Sequence, residues 1–81
     1  MEKKYIPVLV LHHPKGELEP QILYFNGIPY KIDEVRGTRQ QYGAKRYTVI
    51  ISGQQRYLYY TPEGWFVITK QPDDYNSIYD D

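Results

Sequence analysis

No cysteine occurs in the 81 residues of this chain, so neither a disulfide nor a thiolate metal site can supplement its core. An excess of charge of either sign is also missing. Ten basic and ten acidic side chains give a formal net charge of zero, which argues against a protein that coats nucleic acid or adheres to membranes. No apolar run approaches the roughly 20 residues needed to span a bilayer. The opening Met1-Glu2-Lys3-Lys4 is basic, but the apolar stretch from Tyr5 to Leu11 is too short and too interrupted by Pro7 for an export segment. No small-residue cleavage site follows it, and the chain reads as cytoplasmic. Long amphipathic periods are absent too, which excludes a helical architecture. A chain of this length carries one domain and hides only about 60% of the surface its unfolded form exposes, so apolar burial has to hold it together.

What the sequence does have is tyrosine: 10 residues, against two Phe and one Trp. Tyrosine suits a half-buried sheet position, where the ring packs and the hydroxyl reaches water or a polar partner. Exposed, the same residue serves as a stacking or interaction surface. Charge is unevenly spread despite its zero sum. Lys31, Arg36, Arg39, Lys45, Arg46 and Arg56 stand against only Asp33 and Glu34 in the middle of the chain, while Asp73, Asp74, Asp80 and Asp81 make the end acidic.

Along the chain, Tyr5 to Leu11 reads as a β-branched strand, placed at a sheet edge by Pro7, which cannot donate to a ladder. His12 to Glu17 is a loop. The clearest local signal is Gln21 to Ile32, where Asn26-Gly27 between two apolar runs supplies the two positive-φ residues of a type I′ turn. That turn sets Phe25 opposite Ile28 and Leu23 opposite Tyr30. Alternation then places Leu23, Phe25, Ile28, Tyr30 and Ile32 on one apolar face, expected to be core, with Tyr24, Pro29, Lys31 and Asp33 on the other. Gly37 marks either a bulge or the start of a loop through Gln40, Gln41, Tyr42, Gly43 and Ala44. Arg46 to Ile51, Arg56 to Tyr60 and Trp65 to Thr69 are further strands, joined by Ser52-Gly53-Gln54-Gln55 and by the type I turn Thr61-Pro62-Glu63-Gly64.

The expected fold is all-β: a six-stranded antiparallel meander over residues 1–70, curled into a small SH3-like half-barrel or a two-layer sandwich. Residues 71–81 form an acidic tail that loses the alternation. It reads as disordered, or else as a turn docking Tyr75, Ile78 and Tyr79 onto the sheet.

Little here carries catalysis. His12 and His13 are adjacent and point to opposite faces of a strand, so they do not share a metal, and no cofactor is implied. Asp33 and Glu34 are opposed in the same way. Ser52 and Ser77 lack a nucleophile elbow, and no Gly-rich phosphate loop precedes a helix. The expectation is a non-enzymatic binding module, of one of two kinds. The first is a protein-interaction module using an exposed strand edge between Tyr5 and Leu11, or an aromatic surface at Tyr24, Tyr59 and Tyr60. The second binds single-stranded nucleic acid through the basic and aromatic segment Arg36, Arg39, Tyr42, Lys45, Arg46 and Tyr47, with bases stacked on rings and cations along phosphates.

Four short motifs recur in one known setting. Ile32-Asp33-Glu34-Val35, Arg46-Tyr47-Thr48-Val49, Tyr57-Leu58 and Trp65-Phe66-Val67 make the stretch from Lys4 to about Lys70 resemble a family of small bacterial β domains of unknown function. Members of that family, and of a similar group, are encoded beside translesion (Y-family) DNA polymerases. The resemblance implies an accessory role in DNA damage tolerance through contact with a polymerase or with DNA, and it brings no catalytic residue with it. The chain differs from the family pattern in a shorter basic loop and in its acidic tail.

Overall fold

The computed structural model describes residues 2–70, which are strand and turn with no helix. Eight strands follow in order: β1 (Glu2–Ile6), β2 (Val8–His12), β3 (Leu18–Phe25), β4 (Ile28–Lys31), β5 (Glu34–Gln41), β6 (Ala44–Ile51), β7 (Gln54–Thr61) and β8 (Gly64–Lys70). They form two antiparallel sheets, one of five strands in the order β1-β8-β7-β6-β5 and one of three in the order β2-β3-β4. The sheets do not close into a barrel. Among the described residues no helix is long and apolar enough to cross a membrane.

Eight strands replace the expected six because two of the expected runs bend at corners. The first breaks at Pro7, which has no N–H to give a ladder. Its carbonyl accepts the Tyr24 N–H at 3.0 Å, and on either side β1 pairs with β8 while β2 pairs with β3. The second breaks at Ile32-Asp33. Ile32 N–H still donates to the Gln21 carbonyl at 2.9 Å, on the small sheet, whereas Asp33 N–H donates to the Ile50 carbonyl at 2.8 Å, on the large one. The Asp33 carboxylate then accepts the Ser52 N–H at 3.1 Å and ties this corner to the turn between β6 and β7. Each bent run therefore supplies an edge strand to both sheets.

The turns explain the register. Asn26-Gly27 has φ of 53° and 78°, and Phe25 pairs with Ile28 and Leu23 with Tyr30 as the turn requires. The segment expected as a loop is a hairpin. β5 carries a register shift between Val35 and Gly37 and then runs on to Gln41, where Tyr42 and Gly43, at φ 56° and 70°, make another two-residue turn of positive φ. Ser52-Gly53 repeats the geometry at 51° and 76°. In Thr61-Pro62-Glu63-Gly64 the Thr61 hydroxyl donates to the Gly64 carbonyl and accepts the Glu63 N–H, each at 3.3 Å.

The main core lies between the sheets. It gathers Ile6, Leu23, Ile32, Tyr47, Val49, Leu58 and Trp65, with Val8, Val10, Leu18, Phe25, Val35, Ile51, Tyr60 and Val67 packed around them. Burying each large apolar side chain is worth about 1.5–3 kcal/mol. Ile28 and Tyr30 were expected in this core and are exposed instead. β4 has four residues and no strand beyond it, so its side chains overhang the core. A second cluster, Ala44, Tyr59 and Phe66 with Ile68 against it, sits on the opposite, outer face of the five-stranded sheet.

Candidate binding surfaces

Strand pairing brings residues far apart in sequence into one row across that outer face. Tyr5 pairs with Phe66, Phe66 with Tyr59, Tyr59 with Arg46, and Arg46 with Arg39. The rings follow the row: Tyr5 and Phe66 have centroids 5.4 Å apart, and Phe66 and Tyr59 stack at 5.0 Å and 5°. Tyr42 leans on Tyr59 from the turn at 6.0 Å, and the Lys3 ammonium lies 4.8 Å from the Phe66 ring centre. Burial, reinforced by the neighbouring Tyr42, raises the Tyr59 phenol above its ordinary value.

Arg46 holds the centre of the cationic half. Its guanidinium carbon is 4.2 Å from the Tyr57 ring centre, and Nη1 donates to Gln41 Oε1 at 2.7 Å. Its Nε is buried without a partner, a cost of roughly 1–3 kcal/mol. Arg39 stands directly across from it. Among the described residues neither arginine has a carboxylate within ion-pair reach.

The basic and aromatic segment predicted from sequence is thus split by the pleat. Arg39, Tyr42 and Arg46 share the outer face. Lys45 and Tyr47 point the other way: Tyr47 is buried at 2% exposure against Trp65, and the Lys45 ammonium lies 5.2 Å from the Tyr47 ring centre. A ring buried there offers no free face for stacking. Arg36 falls at the register shift in β5 and pairs with Glu34 at 3.4 Å. Sequence reasoning missed Tyr57, which the β6–β7 hairpin sets beside Arg46, and Tyr5 and Lys3, which the pairing of β1 with β8 places at the far end of the same face.

One more feature borders this face. β7 and β8 pair only through Tyr59–Phe66, Tyr60–Trp65 and Thr61–Gly64. Beyond Phe66, β8 stays with β1 while β7 stays with β6, and the two strands part. The opening is a slot of about 590 Å³, walled by Tyr57, Tyr59 and Arg56 on one side and by Val67 and Ile68 on the other, with Leu23, Phe25 and Tyr30 of the small sheet behind.

The small sheet presents a different surface. Leu9 pairs with Ile22 and Leu11 with Glu19, and on the outer face Leu9 and Leu11 are 54% and 49% exposed. Tyr24, half-buried, continues this face two residues beyond Ile22 and meets the Pro7 corner. Tyr59 and Tyr60, the other tyrosines expected to meet a partner, are differently spent. Tyr59 is buried in the outer row, and Tyr60 packs on Trp65 at 4.8 Å.

The four sheet edges also differ. β1 is edged by Glu2, Lys3 and Lys4, β5 by Arg36, Arg39 and a bulge, and β4 is four residues long with Pro29 inside it. Charge, bulges and proline all discourage another strand from adding. β2, Val8-Leu9-Val10-Leu11-His12, has neither charge nor proline before its last residue, and the register shift between Leu9 and Val10 places its extra residue, Gln21, on β3.

His13 pairs with Glu19 at 2.8 Å, and this bond, helped by Gln21, lowers the Glu19 carboxyl below its ordinary value. Among the described residues no three His, Cys, Asp or Glu side chains gather as a metal site. Comparison of the chain with protein-family models, with curated proteins and with solved structures finds no match in any of the three.

Proposed function

We propose that this protein is a non-enzymatic interaction module that takes up an extended segment of a partner protein along the free edge of β2. The observation that supports this reading is the contrast among the four edges: β2 alone of them combines an uninterrupted apolar run and exposed leucines with no charge or proline within Val8–Leu11. The extra residue at its register shift, Gln21, lies on β3 rather than on the free strand. Main-chain hydrogen bonds along such an edge supply affinity, and side chains at alternate positions supply selectivity. Leu9 and Leu11 would pack beside alternate apolar residues of the added strand, with Ile22 and Tyr24 extending the surface.

The resemblance to domains encoded beside translesion polymerases suggests a DNA polymerase as the partner class, in the cytoplasm of a bacterium. Extended segments of such an enzyme are the first ligands to titrate. A random-peptide selection provides the general test, run against the native chain with counter-selection on the Leu9→Lys/Leu11→Lys variant. Enrichment of sequences alternating β-branched apolar residues, with binding lost in the variant and its amide spectrum otherwise unchanged, is the expected result. Peptides that bind both proteins equally would sink the reading.

A further inference from the structure

We propose that the outer face of the five-stranded sheet is a second, separate binding site, for single-stranded nucleic acid: Arg39 and Arg46 hold phosphates, and a base enters the β7/β8 slot against Tyr57. Three observations converge on it. The first is the arginine pair. Two cations directly opposite each other across β5 and β6 repel, and among the described residues no carboxylate reaches either one. An anion lying between them relieves that repulsion, and the planar guanidinium fork matches phosphate oxygens.

The second is the aromatic neighbour. Tyr57 carries the Arg46 guanidinium at 4.2 Å from its ring centre and is still 38% exposed. Phosphate-binding and base-stacking groups therefore touch each other, as adjacent parts of one nucleotide require. The third is the slot. At about 590 Å³ it falls within the range of small-ligand sites, and Tyr57, Tyr59 and Ile68 give it apolar and aromatic walls. A base brings a π-face to Tyr57 whatever its identity, so the site reads single strands with little sequence preference. An acidic peptide could satisfy the arginines, but it offers no flat ring for the slot.

A site with two arginines neutralises few phosphates, which agrees with the zero net charge of the chain. For single strands each neutralised phosphate contributes about −0.7 to the slope of log affinity against log salt, so two give about −1.4.

The test is fluorescence anisotropy of a labelled oligothymidylate titrated with the full chain at several salt concentrations. Arg39→Gln/Arg46→Gln and Tyr57→Leu are run alongside, each checked for native fold by its amide spectrum. Saturable binding is expected, with a slope near that value. The arginine variant should bring the slope towards zero, and Tyr57→Leu should weaken binding by about tenfold at every salt concentration. Absence of binding at low salt, or binding that the arginine variant leaves unchanged, would overturn the site. Competition by base-free polyphosphate or by polyglutamate as effective as by unlabelled oligonucleotide would overturn its assignment to nucleic acid. The Leu9→Lys/Leu11→Lys variant should bind the oligonucleotide at least as well as the native chain, which separates this site from the β2 edge.

Discussion

Phe66, on the outer face of the five-stranded sheet, is 0% exposed, whereas Leu9, on the outer face of the three-stranded sheet, is 54% exposed. Both faces point away from the core between the sheets. On the large sheet, five strands side by side let Tyr5, Phe66 and Tyr59 shield one another, with Tyr42 and Lys3 closing over the row. On the small sheet there are too few strands to build such a row, and its aliphatic side chains remain in water. An outer face that buries itself contributes to folding; one that stays open contributes to association.

The sharpest way to break this contrast is truncation on each face. Phe66→Ala should cost about 3–5 kcal/mol in urea unfolding, as for other buried aromatic deletions, and Leu9→Ala less than about 0.5 kcal/mol. Comparable losses from the two would show that the small sheet's outer face is also structural. A smaller effect is expected at the corner that joins the faces. Asp33→Ala removes the acceptor for the Ser52 N–H and should cost about 1 kcal/mol, with amide exchange at Ser52 accelerated more than exchange in the centre of β6.

How far these differences were legible in the sequence depends on the range of the interaction that sets them. Asn26-Gly27 fixed its hairpin register locally, because two adjacent residues able to take positive φ leave one geometry. Tyr42-Gly43 makes the same kind of turn but begins with a residue seldom found at positive φ, so the strand leading into it, from Gly37 to Gln41, read as a bulge or loop while Arg46 to Ile51 beyond it read as strand. Pro7 signalled an edge correctly and concealed a corner, since losing an N–H is compatible with either. At the candidate site, Arg39, Tyr42 and Arg46 were visible as a cluster in sequence. That Lys45 and Tyr47 face the opposite way follows from the pleat, but only once the hairpin is recognised. Tyr57 reaches Arg46 through the β6–β7 hairpin, a local pairing whose turn was legible, whereas Tyr5 arrives through the pairing of β1 with β8, which no local pattern encodes. The acidic tail lies outside the described residues, and so do both expectations for its structure.

The tail's charge still sharpens the comparison. Asp73, Asp74, Asp80 and Asp81 follow the strand β8, which borders the aromatic–arginine face. Replacing all four by Asn should raise affinity for the oligonucleotide by a few-fold at low salt and by less near physiological salt, where the Debye length is about 8 Å. Binding of a peptide at β2 should not change. Equal gains at both sites would mean that the tail acts through net charge rather than through proximity to one face.

The smallest expected effect sets the two sheets at opposite ends of the pH scale. On the small sheet, Glu19 lies below its ordinary value of 4.5, first because of the His13 hydrogen bond. A carboxyl depressed on folding contributes stability above its unfolded value, and that contribution is lost as pH falls through the folded one. On the large sheet, Tyr59 lies above its ordinary value of 10.0, first because of burial. A phenol raised on folding contributes below its unfolded value, and the contribution is lost as pH rises through the folded one. Glu19→Gln should therefore flatten only the acid limb of a stability–pH profile, and Tyr59→Phe only the alkaline limb. Because Glu19 is solvated, salt should shrink the acid effect while leaving the Tyr59 effect nearly intact. Carboxyl NMR titration gives the direct check: in His13→Ala the Glu19 midpoint should rise towards 4.5. A midpoint that stays low in that variant would assign the depression to Gln21 and leave His13 without an electrostatic part in the small sheet.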